Sequence, residues 1–188
     1  MSTEGYRPRP AASRREQASS APAPSTESAY IATLHEHPNL CLAFFGVQFH
    51  TEEGQRRYEA AGINEEMFPA LEAARAEGLL LNRSMMSPEG PVLMQYWRSY
   101  EDLDRWARKQ PHSRWWRWLI ENSGPDIGFY HEIYQAKTAE AIYETGTRPV
   151  GPALFSSVEQ VQGGQGRSRE RQRKFAEAAQ AAESPQVG

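Results

Sequence analysis

IGFYHEIYQ, residues 127–135, alternates like a strand yet carries an imidazole, a carboxylate and two phenols among its hydrophobes. Successive side chains of a strand point to opposite faces, so Ile127, Phe129, His131 and Ile133 share one face and Tyr130, Glu132 and Tyr134 the other. Neither face is hydrocarbon alone. A strand of this kind lies at the boundary between a core and a lined site, and its neighbours decide which face is which.

Working outward, NLCLAFFGVQFH (39–50) reads as a first strand, continuously apolar and then alternating. INEEMFPALEAARAEG (63–78) reads as a helix with Asn64 as N-cap, acids in its first turn, a stripe of Met67, Leu71 and Ala74, and a stop at Gly78. Pro69 is expected in or near the first turn, where a missing N–H costs least. LLLNRSMMS and GPVLMQYWRS form a hairpin through SPEG (87–90). A helix follows, with Ser99 and Asp102 as a start resembling a capping box and Leu103, Trp106 and Ala107 as its stripe. A further helical piece begins at Pro111 and carries Trp115, Trp118 and Leu119. The order β-α-β-β-α-β is that of the ferredoxin-like α+β arrangement, with helices on one face of the sheet. The opposite face needs another cover. A second copy is the commonest one, and the gap between two such sheets can hold a ligand.

Composition sets the limits. Residues 1–37, rich in Ser, Pro and charge, are expected to form a disordered arm, and the folded unit spans 38–145. Residues 146–188 read as a linker and tail with a short helix whose one large apolar anchor is Phe175. A net charge of −3 gives no general drive toward nucleic acid. The single cysteine, Cys41, excludes an intrachain disulfide and a multi-thiolate metal site, and reads as a small core residue in a reducing compartment. The chain lacks an apolar run long enough for a membrane span and an apolar segment behind its N-terminal arginines, so a cytosolic protein is expected.

YWRSYEDLDRWA, PHSRWWRW and IGFYHEIY together resemble the monooxygenase-like family typified by the small monooxygenase of fumagillin biosynthesis, related to the antibiotic-biosynthesis monooxygenases. The resemblance spans roughly 38–145 and rests most on Tyr96-Trp97-Arg98-Ser99, Asp102-Leu103, Gly128, His131-Glu132 and Tyr134. It implies a homodimeric α+β barrel that oxygenates an apolar aromatic or terpenoid secondary metabolite with O₂ and no cofactor. Such barrels also host haem enzymes, aldoxime dehydratases among them, and non-catalytic binding modules. Haem is therefore the alternative cofactor, with His112 or His131 as axial ligand.

Cofactor-free oxygenation needs a base near neutrality, donors for a developing oxyanion and a dry aromatic wall. His131 fits the base, and Tyr96 and Tyr134 supply donors. Trp97, Phe129, His112 and Trp115 suit the wall, Arg98 an anionic group or an ion pair with Glu132, and Glu132 a binding or pairing role. The plainer readings are a hydrogen-bonded core histidine at 131, Trp115 and Trp118 as helix core, and His112 as a surface residue. The five histidines show no helical i,i+4 pair, and the one HxH pair, His35 with His37, adjoins the arm, so no metal is expected. The GGQG at 163–166 is not a nucleotide-binding loop, and motifs of P-loop and nucleophile-elbow type do not occur.

Overall fold

The computed structural model describes residues 26–183. Its strands are β1 (Tyr30–Ala32), β2 (Cys41–Phe49), β3 (Leu79–Ser87), β4 (Gly90–Trp97), β5 (Ile127–Gln135), β6 (Ile142–Tyr143) and β7 (Val158–Gln160). Its helices are α1 (Glu52–Ala60), α2 (Ile63–Ala74), α3 (Tyr100–Ala107), α4 (His112–Asn122) and α5 (Ser168–Glu183). The main sheet runs β3-β4-β2-β5, antiparallel throughout, as the ferredoxin-like order requires. A smaller sheet runs β6-β1-β7.

Strand parity builds the core. Cys41, Ala43 and Val47 of β2, Leu93 and Trp97 of β4 and Ile127 of β5 point to one face, where Tyr58, Met67, Leu71, Leu103, Trp106, Trp115 and Leu119 from α1–α4 meet them. The α3 start is as expected, since Ser99 Oγ accepts the Asp102 N–H at 3.2 Å. Asp102 is only 6% exposed. It accepts from Arg98 Nε at 2.7 Å and from an Arg105 guanidinium N–H at 2.8 Å, and these hydrogen bonds, Arg98 first, hold its carboxyl below the usual range. Arg98 therefore pairs with Asp102 and not with Glu132. Gly78 lies against this carboxylate at φ 118°, where a Cβ would come within 2.6 Å of Asp102 Oδ2. Glycine is required there on both counts.

Three local expectations are corrected. TEEGQRRYEA contains a helix, α1, that the pattern hid because Tyr58 is its only large apolar residue; Thr51 caps it by accepting the Gly54 N–H at 3.1 Å. The α2 helix starts from Gly62, at φ 65°, so Asn64 is not its cap and instead accepts from Tyr58 Oη at 2.9 Å. Starting at Ile63 also places Pro69 inside the helix. The stripe Ile63, Met67, Leu71, Ala74 buries one side of α2 and outweighs the hydrogen bond lost at the proline.

The second face of the sheet is covered in part by the chain itself. Leu81 and Tyr96 on that face, with Leu34 and Leu40, pack around Phe175 of α5, which is 1% exposed, and Phe155 and Ala179 add to this layer. Tyr30 and Tyr143 stack at 4.8 Å in the small sheet. The part of the 1–37 arm within the described residues is thus structured from β1 onward, and residues 1–25 lie outside them. The tail likewise folds back, because one buried aromatic anchor and β1–β7 pairing hold it against the main sheet. Phe175→Ala is expected to lower stability by about 3–5 kcal/mol, the usual cost of truncating a buried Phe. Urea unfolding measures the loss, and limited proteolysis between β7 and α5 should become faster; a free tail would show neither effect.

Candidate functional site

The face of β5 that carries Ile127, Phe129 and His131 lies beneath the helices, so the imidazole sits between sheet and helical layer and not in a gap between two sheets. Ile127 is fully buried opposite Phe49, and four pairs along the ladder His131 stands opposite Phe45. A small cavity of about 40 Å³ lies here, with Phe45, Gln95 and His131 on the sheet side and His112, Trp115 and Trp116 on the helix side. Outside it is an open cleft of about 270 Å³ between α3 and α4, lined by Tyr100, Arg108 and Ile133 among others. Leu103, His112, Trp116 and His131 belong to both and form the partition between them.

Ring contacts hold that partition. The His131 ring lies 5.5 Å from Trp116 and 6.4 Å from Phe45, and Trp116 meets Phe129 edge-on at 5.2 Å. His112 packs 4.8 Å from Trp106 and stacks on Trp116 at 6.3 Å. His112 Nδ1 is 2.9 Å from the Ala107 carbonyl, which accepts only, so Nδ1 carries the proton and Nε2 keeps its lone pair. Burial holds His112 below the ordinary histidine value, the Ala107 bond opposes this and the nearby His131 adds to it. Burial lowers His131 as well. Both rings are therefore neutral acceptors near pH 7 in an apolar enclosure.

Of the residues singled out in the sequence, His131, His112 and Trp115 meet at the cavity, and Phe129 stands behind Trp116. Trp97 is fully buried behind Gln95, to whose Oε1 its indole donates at 3.0 Å. Tyr96 points to the other face and packs on Phe155. Tyr134, 54% exposed, donates to Glu132 on that face at 2.9 Å, and Arg98 is held by Asp102. The proposed donors Tyr96 and Tyr134 are thus separated from His131 by the thickness of the sheet, as alternation requires. Gln95 was missed, and Trp116 was not placed in the site. Their signals were a lone amide in the apolar run VLMQYW, on the parity of Trp97, and a spacing of four from His112 to Trp116.

With Trp116 in this position, a porphyrin does not fit this site. Either imidazole has a free lone pair, but the cavity is water-sized and the rings of Phe45, Trp106 and Trp116 fill the room a macrocycle would need. Among the described residues no group of three His, Cys, Asp or Glu side chains could hold a metal ion. No helix there is long and apolar enough to cross a membrane. Cys41 is buried and its thiol is pushed up to about 11, which leaves it unreactive.

The lowered imidazoles, these two and the His37 ring that burial also holds down, make stability depend on pH. Between their folded values and about 6.5, the ordinary value, the unfolded chain binds more protons than the folded one. Stability is complete above about 6.5 and falls as the pH drops through that window. Thermal melts from pH 8 to pH 5 should show this decline, and His131→Phe should make it shallower; an unchanged slope would place the His131 ring in water.

The family model described as monooxygenase af470-like matches residues 44–151. Among solved structures, an aldoxime dehydratase in complex with butyraldoxime is similar at 17% identity and TM-score 0.51, over 82% of this chain and 44% of that chain. A second aldoxime dehydratase gives 19% identity and TM-score 0.54, over 89% of this chain and 48% of that one. These matches take in more of the chain than residues 41–135, so the terminal layer belongs to the shared fold, and the chain spans a little under half the length of either enzyme. A Nitrosomonas europaea protein named for the antibiotic biosynthesis monooxygenases is similar at 13% identity and TM-score 0.37, over 52% of this chain and 90% of that one. No curated protein matches. At these identities the likeness is one of fold. The family model, by contrast, matches more than half of the residues, including the strand with His131 and the helix with Trp116, and the chain belongs to the monooxygenase af470-like family.

Proposed function

We propose that the protein is a cofactor-independent monooxygenase acting on a small, flat, apolar metabolite, with His131 as general base. The observation that carries this reading is the pair of neutral imidazoles set in an aromatic partition between a small, mostly apolar cavity and an open cleft. The substrate enters from the cleft by displacing the Trp116 ring, which merges the two spaces. His131 then takes a proton from an activated CH₂ of the substrate. The carbanion adds O₂ and, with that proton returned, becomes a hydroperoxide. Loss of the second C–H proton with cleavage of the O–O bond leaves a carbonyl and water, so one O₂ is consumed per CH₂ oxidised. Family membership supports the reaction class, and the absence of charged side chains from the cavity wall supports an apolar substrate.

The open part of the second sheet face supports a homodimer. Phe44, Met85 and Tyr130 lie there, with the Tyr130 ring across β2 so closely that a Cβ on Gly46 would come within 2.2 Å of it. Arg83 on edge strand β3 makes no ion pair among the described residues, and Glu132 lies on the opposite edge strand β5. A twofold axis along the strands sets β3 over the partner's β5, which joins these charges twice. Arg83→Glu should weaken the dimer in sedimentation, and adding Glu132→Arg should restore it. A monomeric wild type would overturn this arrangement.

With an anthrone or similar activated arene, the purified, colourless protein should consume O₂, and His131→Gln should slow turnover about 10²–10⁴-fold, the usual worth of a general base. Its kcat/KM should fall on the acid side, with a midpoint below about 6.5. Full activity in His131→Gln would remove His131 from the chemistry; binding without O₂ uptake would favour a ligand-binding module instead.

A further inference from the structure

We propose that Gln95 is the specificity-determining donor of this site, and that the ligands it takes are flat rings bearing a carbonyl or hydroxyl oxygen and not plain hydrocarbons. The inference rests on the cavity reading above and narrows its substrate class.

Gln95 lies on β4 with its side chain on the cavity, 8% exposed, among hydrophobes and imidazoles. Burying a primary amide is costly unless its polar ends are met. One end is met: the Oε1 accepts the Trp97 indole N–H at 3.0 Å. An indole N–H can only donate, so the contact fixes which end of the amide is the carbonyl. The NH₂ end is then turned away from Trp97; among the described residues it donates to no acceptor, and it is not wholly shut off from the surface, as befits a group on the cavity wall. A donor left unmet on the wall of a cavity is open to a polar group from outside the chain.

The imidazoles supply the complementary half. The His112 tautomer, set by Ala107, offers a lone pair at Nε2, and His131 is neutral on the same partition. A ring with a hydroxyl or enolisable carbonyl can give its proton to an imidazole while its oxygen accepts from the Gln95 NH₂. During turnover that NH₂ lies where an oxyanion conjugated with the carbanion gathers charge, the place where a fixed donor contributes most. A saturated hydrocarbon would bury the NH₂ unmet, and sites built around such a donor reject ligands that lack the acceptor.

The test compares 1-tetralone, which can only accept, with tetralin, its hydrocarbon counterpart, by ligand-observed NMR titration of the full chain. Wild type should bind the ketone roughly tenfold or more tightly. Gln95→Met, similar in shape but without the donor, should keep tetralin binding and lose the preference. Gln95→Leu, which lacks both polar ends, should lose it too, and near-UV circular dichroism confirms that each variant is folded. If wild type binds both probes equally, or a folded variant keeps the preference, the Gln95 assignment falls while the cavity stands. If neither probe binds, the cavity reading falls with it. Should neither variant fold, the wild-type comparison still decides, because equal affinity overturns the donor and a clear preference supports it.

Discussion

The register between β2 and β5 is the constraint on which the site depends. Ile127 is fully buried opposite Phe49, and from that anchor the ladder fixes Phe129 against Val47 and His131 against Phe45. A slip of one residue would turn His131 outward and bring Glu132 beneath the helices. The hydrophobic residues near the start of β5 thus determine the chemistry available farther along it. An imidazole among rings can stay neutral and receive a proton; a carboxylate there would have to be protonated or find a cation.

Helices and sheet then share the work differently from what a two-sheet chamber implies. The helical layer closes the site, with α4 supplying His112, Trp115 and Trp116 from one face, while β4 supplies the Gln95 amide and β5 the His131 imidazole. The second sheet face is divided between the chain's own terminal layer around Phe175 and an open part with Phe44, Met85 and Tyr130. Tyr134 and Glu132, which share a strand with His131, belong to that second face and to its contacts.

The main sheet and three of its four covering helices were legible because their signals are local: alternation in 41–49 and 127–135, the SPEG turn, the Ser99 cap and the stripes of α2, α3 and α4. The α1 helix was not, since a single Tyr58 makes no stripe. The outer layer was hidden for another reason. Its strands are two or three residues long, below the length at which periodicity can be read, and its helix is held by Phe175 through contacts distant in sequence. In the site, parity grouped His131 with Phe129 correctly, but which parity faced the helices could not be read from β5 alone. That is why the tyrosines were set beside the imidazole and Gln95 and Trp116 were left out of the site.

The short β1 strand pairs with β7, Tyr30 facing Gln160. During synthesis the sheet with His131 can therefore be complete while β1 still lacks its neighbour, which leaves the ribosome more than a hundred residues later. Until then the aliphatic side of β3 and β4 around Leu81 and Tyr96 stays wet, and closure of this long loop is slow. The nascent chain passes through a stage in which the half with His131 is shaped while the surface destined for α5 is still sticky, the interval in which a chaperone would engage it.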